Sequence, residues 1–289
     1  MISVDFGKCI QCGRCIAVCP ARIYSWDGFK EEKTVLIQDE SNCIICGHCV
    51  AICPEDAIIH EQLPLEDFQL LDIVDVTPEA LSNLLLSRRS IRVYRPDPVP
   101  KEVLEKLLNV AVHAGTASNQ QNVKFTVVQQ PDLLFELEDL VVENLWNQLK
   151  RYGNPLFRKR DSFRYTKEQL QVLIRYHDFF KRRIKSGETR GTIIRGAPAA
   201  IILSTPGKTS LLAANCALAI ANMTMLAQTL ELGVCWVGFL VEAASREPRI
   251  KKLLGIPDYR HVHGCLVVGY PRYTYKKSIP RKPPRVDWF

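Results

Sequence analysis

Cys9-Ile-Gln-Cys12-Gly-Arg-Cys15-Ile-Ala-Val-Cys19-Pro20 recurs thirty-four residues later as Cys43-Ile-Ile-Cys46-Gly-His-Cys49-Val-Ala-Ile-Cys53-Pro54. Both runs have the spacing C-x2-C-x2-C-x3-C-P, which is that of bacterial-type iron–sulfur ligation, where the fourth Cys of each run serves the other cluster. One cluster then takes Cys9, Cys12, Cys15 and Cys53, and the other takes Cys43, Cys46, Cys49 and Cys19. Three thiolates close in sequence wrap one cluster, Gly13 and Gly47 let the backbone pass near the inorganic core, and the Pro closes each local loop. Crossed ligation holds together a segment too short for a large apolar core. Zinc and disulfides are the alternatives. Zinc sites use pairs of ligands and have no need of eight Cys in a doubled pattern. Disulfides call for an oxidising compartment, and Met1-Ile-Ser-Val-Asp5 has neither the basic nor the apolar region of a secretory leader, so a reducing, anaerobic cytoplasm is expected.

Residues 1–62 thus resemble two-[4Fe–4S] ferredoxins. At 289 residues and 47% apolar composition, the rest of the chain has room for a second domain with an ordinary core. Residues 63–80 read as a linker, ending in the helix start Thr77-Pro78, with Thr77 as cap and Pro78 in the first turn. The net charge of +7 conceals an asymmetry. Residues 1–62 carry nine acids and five bases, whereas residues 150–195 carry fourteen bases and four acids. The basic segment has no nucleic-acid motif and no interleaved stacking aromatics. It is either a solvated face or a surface for an acidic partner, an anionic substrate or the acidic first domain. Leu211–Leu230 has no charged residue and is long enough to cross a bilayer. Its Ala, Asn, Thr and Gln content points instead to a core or subunit-interface helix, so no membrane is expected.

The helix from Thr77 places Leu81, Leu84 and Leu85 at core spacing and ends in Ser87-Arg88-Arg89-Ser90-Ile91-Arg92. Forked guanidinium donors beside hydroxyls make an anion site or a solvated basic turn. A Pro-Val-Pro loop, an amphipathic helix from Lys101, the polar loop Gly115–Asn122 and a strand at Lys124–Val128 follow. In that order these features resemble the FMN-dependent nitroreductase family. The resemblance implies an α+β fold: a nitroreductase-type sandwich, with a mixed sheet flanked by helices, over residues 81–289, joined to the small ferredoxin-like domain. About 131–195 would form a variable lid. The resemblance implies further that Arg88, Arg89, Ser90 and Arg92 hold the flavin phosphate and ribityl chain, and that Thr116, Asn119 and Gln121 belong to the cofactor loop. It places the backbone of Cys235-Trp236-Val237-Gly238 past the flavin ring, with Trp236, Val237 and Gly238 as contacts, and sets Arg281 against the phosphate. Gly115 and Asn122-Val123 depart from the family's usual Pro and Pro-Trp at the pocket rim. Cys216, Cys235 and Cys265 read as packed thiols. The apolar helix 211–231, stopped at Gly233, would line a homodimer interface with FMN between the subunits.

The expected function is therefore an oxidoreductase with two [4Fe–4S] clusters and FMN. Electrons would pass one at a time through the clusters to the flavin, and on to a small organic acceptor such as a nitroaromatic, quinone or flavin. No side chain is singled out as acid, base or nucleophile. The electron donor is a ferredoxin or NAD(P)H. No G-x-G-x-x-G follows a strand, which weakens a dedicated dinucleotide domain but leaves nicotinamide binding on the flavin face open. Two further readings compete: an NAD(P)H-fed flavoprotein whose clusters store or export electrons, and an electron carrier or flavin-handling protein without turnover of its own.

Overall fold

A computed structural model describes residues 1–27, 33–72 and 75–289. The chain divides into two compact units, Met1–Asp75 with Ser118–Gln120, and Val76–Ala117 with Gln121–Phe289.

The first unit contains β1 (Ile2–Val4), α1 (Arg14–Val18), β2 (Tyr24–Asp27), β3 (Thr34–Ile37), α2 (His48–Ala51) and β4 (Ile58–His60). Tyr24–Phe29 and Thr34–Ile37 read in the sequence as a short hairpin, and β2 and β3 form that antiparallel pair, Tyr24 opposite Ile37. Gly28 and Phe29 of that expected hairpin lie outside the described residues, as do Ile73 and Val74 of the expected linker. β4, which Ala57–His60 announces as a short strand, pairs with β1, Ile2 opposite His60; β1 itself, at three residues, was too short to announce. The two halves repeat each other's backbone. Left-handed residues fall at Gln11, Gly13 and Arg22, and again thirty-four positions on at Ile45, Gly47 and Asp56. A Cβ on Gly13 would lie 2.5 Å from the Trp26 ring, so that turn is glycine by space as well as by φ. Ile2, Ile23, Val35, Val50 and Ile58 form the small core.

The second unit contains α3 (Pro78–Ser87), α4 (Lys101–Ala111), β5 (Lys124–Val128), α5 (Pro131–Leu149), α6 (Pro155–Asp161), α7 (Lys167–Lys185), β6 (Ala199–Thr205), α8 (Ser210–Thr229), β7 (Gly233–Trp236), α9 (Gly238–Ala244), α10 (Pro248–Leu253) and β8 (His261–Gly269). The sheet order is β5-β6-β8-β7. Its named strands pair antiparallel throughout, so the expected mixed sheet reduces to one parallel bridge, Ser90 with Val234 at the β7 edge. Every residue of β6 is buried, because helices cover both faces. Its alternation divides the core. Ala200 and Ile202 face one cluster with α5, α9 and α10, and Ala199, Ile201 and Leu203 face another with α4 and α8.

Three readings are corrected. α5 is a core helix rather than part of a lid, burying Leu134, Leu137, Val141, Val142, Leu145 and Leu149 in an i, i+3, i+4, i+7 stripe. Leu81 and Leu85 on α3 are exposed, as is Leu86, so their helical spacing marks a face that this chain alone does not cover. Gly233 is not the stop of α8. Glu231 takes the left-handed position (φ 57°), with Leu232 N–H donating to the Ala227 carbonyl at 2.8 Å and Glu231 N–H to that of Gln228, as a Schellman end requires. Gly233 instead opens β7, where a Cβ would sit 2.6 Å from Ile91 Cγ1. The cap at Thr77 is as expected, its hydroxyl accepting from Ala80 N–H at 3.2 Å. α8 is long and apolar enough to cross a membrane by length and composition. It buries Cys216, Ala219, Ile220, Met223 and Ala227 in the second core cluster.

Candidate functional site

Two cysteine sites lie in the first unit. Cys9, Cys12, Cys15 and Cys53 line one cavity, and Cys19, Cys43, Cys46 and Cys49 line another. α1 and α2 position the third Cys of each run on a helix that starts from a left-handed glycine. Cys19 and Cys53, just beyond those helices, cross to the opposite cavity. Among the described residues no three His, Cys, Asp or Glu come together closely enough to hold a single metal ion. The sulfurs stand around a space instead, which suits a cluster and not zinc. Backbone N–H groups aim at sulfur: Ile45 N–H reaches Cys43 Sγ at 3.3 Å and Ala57 N–H reaches Cys53 Sγ at 3.2 Å. Burial pushes the Cys15 and Cys49 thiols up, so metal has to displace their protons.

A second site is built where residues 90–95 run beside β7 and the end of β8. Ile91 N–H donates to the Val234 carbonyl at 2.9 Å, and Arg95 N–H to that of Tyr270 at 2.8 Å. A cavity of about 530 Å³ lies on one side, with Arg88, Arg89, Arg95, Gln228 and Tyr275 among its walls. A second of about 280 Å³ is lined by Arg92, Arg195, Trp236, Val237 and Gly238 among others. Ile91 and Val234 line the first and Arg92 and Cys235 the second, so consecutive residues of the two bridged segments serve different cavities. The Arg89 guanidinium is fixed by donation from Nη1 to the Leu86 and Arg88 carbonyls and from Nη2 to that of Lys277. Arg89 Nε and Gln228 Nε2 are buried donors with no acceptor among the described residues. Two unpaired donors beside three arginines fit an anionic group such as a phosphate.

The expected residues divide accordingly. Arg88 and Arg89 line the first cavity, Arg92, Trp236, Val237 and Gly238 the second, and Ser90 forms the bridge between them. Thr116, Asn119, Gln121 and Arg281 line neither. The Thr116 hydroxyl accepts from Gln121 N–H at 3.0 Å, folding the polar loop on itself, and Asn119 and Gln121 have φ of 52° and 45°. Arg281 lies in an exposed C-terminal segment without helix or strand. Arg95, Arg195 and Gln228 were not expected. Gln228 carried a signal, as a polar residue on an otherwise uncharged helix; Arg195 carried none beyond its place before Gly196. The three remaining thiols are packed, with burial pushing Cys216 up to about 12 and Cys265 higher still.

Residues 85–270 match the nitroreductase family, and residues 8–57 match the 4Fe–4S dicluster domain. A protein of Archaeoglobus fulgidus named as an NADH dehydrogenase/NAD(P)H nitroreductase is 24% identical over 199 residues, 67% of this chain and 87% of that protein. Among solved structures, the FMN-bound nitroreductase of Bacteroides fragilis covers 72% of this chain and 98% of its own, with 20% identity and a TM-score of 0.52. The FMN-bound nitroreductase of Desulfitobacterium hafniense gives the same coverage, with 18% identity and a TM-score of 0.53. Fold and site together define an oxidoreductase carrying an iron–sulfur domain. The chain belongs to the nitroreductase family, with a 4Fe–4S dicluster domain at its N-terminal end.

Proposed function

We propose that this chain binds FMN across the two neighbouring cavities and passes electrons from its two [4Fe–4S] clusters, through FMN, to a small organic acceptor such as a nitroaromatic, quinone or flavin. The observation that carries the reading is the coexistence, in one chain, of two four-cysteine cavities and an arginine-lined cavity pair. FMN supplies the exchange between one-electron and two-electron chemistry. Arg88 and Arg89 would hold its phosphate, Ser90 and Arg92 would orient the chain and ring, and the Trp236–Gly238 backbone would lie along the ring. Thr116, Asn119, Gln121 and Arg281 remain proposed contacts, to be completed by a second copy of the chain. The exposed leucines of α3 and of α8, Leu81, Leu85, Leu86, Leu211 and Leu218, support a homodimer through that face. Leu85→Glu should then yield monomers in sedimentation velocity.

The donor is tested by anaerobic titration of cluster-replete, FMN-loaded protein, following the visible flavin absorbance. Bleaching by reduced ferredoxin and not by NADH or NADPH supports entry through the clusters. Prompt bleaching by NAD(P)H supports the second reading, a nicotinamide-fed flavoprotein, which is favoured by the name of the Archaeoglobus relative. Release of reduced flavin into solution would point to a flavin-handling protein.

A further inference from the structure

Arg195 lines the same smaller cavity as the proposed flavin contacts Arg92 and Trp236–Gly238, but no flavin contact is assigned to it, and the fold goes to some length to place it. Its φ is 65°, a left-handed conformation that non-glycine residues adopt rarely and hold only where the surroundings impose it. The surroundings are a buried clamp. Glu138, on the core helix α5 and 2% exposed, accepts Gly191 N–H at 2.7 Å, Ile193 N–H at 2.6 Å and Ile194 N–H at 2.9 Å. Arg183 of α7 secures the same loop, its Nε donating to Thr192 Oγ1 at 3.2 Å and its Nη2 to the Arg190 carbonyl at 3.2 Å. This doubly pinned loop brings Arg195 to the smaller cavity, which Arg92 lines from a different element.

No carboxylate lines that cavity, and among the described residues Arg195 forms no ion pair. Both guanidiniums also act on the phenol of buried Tyr94, so the two charges share one small region. The other walls include three aromatic side chains, Tyr176, Trp236 and Phe239, beside Ile193, Cys235, Val237 and Gly238. Tyr176 and Phe239 meet edge to face with centroids 5.1 Å apart, and Trp236 is half-exposed beside them. Uncompensated like charges cost stability, and they are retained where an anion from outside completes them. A guanidinium fork matches a carboxylate bidentately, and flat aromatic walls take a flat conjugated body.

We propose that Arg195 binds the carboxylate of the electron acceptor, making the preferred acceptor class a planar aromatic or conjugated acid, with Glu138 as the positioning residue that holds Arg195 in place. This inference rests on the reading of the chain as a flavin oxidoreductase. Arg92 is the cofactor's cation in that reading, and Arg195 is the substrate's.

Isothermal titration calorimetry on the FMN-loaded, cluster-replete full chain, in its oxidised state, tests it without turnover. The probes are 4-nitrobenzoate and the neutral 4-nitrobenzyl alcohol. The carboxylate should bind more tightly, and Arg195→Gln should weaken it about tenfold to a hundredfold while leaving the alcohol unchanged, the factor expected for one charge-assisted pair. Arg195→Lys should recover part of the loss. Arg195→Gly, which suits the left-handed backbone, should repeat the Gln result and separates lost charge from lost folding. Equal affinity for the two probes in the wild type overturns the proposal. So does an equal loss for both in Arg195→Gln, or a shifted flavin spectrum with weakened FMN retention, which would assign Arg195 to the cofactor. In a parallel anaerobic assay on protein first reduced with reduced ferredoxin or NAD(P)H, carboxylate selectivity in binding without reduction of either nitro compound would sink the oxidoreductase reading alone; reduction of both without selectivity would sink this inference alone.

Discussion

Replacing Glu138 by glutamine removes one negative charge and one acceptor from the centre of the second unit and changes almost nothing in shape. In the wild type one oxygen accepts from Ile193 and Ile194 and the other from Gly191. The glutamine carbonyl can keep the first pair, but its NH2 group then faces the Gly191 N–H, donor against donor. A buried donor left without a partner costs about 1–3 kcal/mol. The two surviving bonds lose their charge assistance, which roughly doubles the strength of such bonds. The amide is easier to bury than the carboxylate, and this offsets part of the loss. The net cost is about 2–3 kcal/mol, which in a unit of this size lowers Tm by about 4–12 °C. Glu138→Ala strands all three donors and should cost more, about 3–6 kcal/mol. Thermal unfolding followed by intrinsic fluorescence reads the right unit, because Trp146, Trp236 and Trp288 belong to it and only Trp26 to the other. A Glu138→Gln protein that unfolds within about 1 °C of wild type, well inside the shift expected for a single unmade bond, would refute the clamp.

Three other outcomes are expected. Cys53→Ser should remove the cluster of Cys9, Cys12 and Cys15 and about half of the bound iron, because each run lends its fourth thiol to the other cluster; iron analysis with low-temperature paramagnetic resonance checks this, and loss of the Cys43–Cys49 cluster instead would reverse the assignment. Gly233→Ala should destabilise by about 1–3 kcal/mol, since the new Cβ meets Ile91 well inside contact distance and the clash is with Cβ and its branches, not a mobile tip; Ile91→Ala in the same chain should recover part of the loss. Asp161, its side chain buried, is held below the usual carboxylate value first by the Tyr152 hydroxyl, at 2.9 Å, and then by Arg160 and Arg151. Its contribution to stability is therefore complete above the ordinary aspartate value of 3.8 and is lost as pH falls through the lowered folded value. Asp161→Asn should be less stable near neutrality and should flatten the acid limb of a urea-midpoint profile; an unaltered limb would count against the pairing.

Much of the site was legible where local chemistry sets the spacing. Eight thiols in a doubled pattern leave the chain few ways to fold, and Thr77-Pro78 announces its helix through groups three residues apart. Arg88–Arg92 likewise declared themselves by density of donors. What was not legible depends on partners distant in sequence. Ile2–Val4 is a strand only because Ile58–His60 lies beside it. Gly233 looked like a helix stop because glycine usually serves there, but Glu231 takes that role, and the glycine answers to Ile91, far back in the chain. Leu81 and Leu85 show that periodicity identifies an apolar face without saying what covers it. The stripe on α5 was present in the sequence, and was masked by treating 131–195 as one charged region. Arg195 had no signal at all, since its placement comes from a carboxylate on another helix.

The order in which the walls appear along the chain sets an order of maturation. The two cysteine cavities are complete once His60 has been made, whereas the larger arginine-lined cavity draws on residues from Leu84 to Tyr275. At common rates of translation the interval between the two is roughly 10–40 s. A nascent chain can accordingly take up iron long before it can grip a flavin, and a truncated one can do so without ever reaching the second stage. Iron content then counts every chain carried past His60, while flavin content counts those carried past Tyr275.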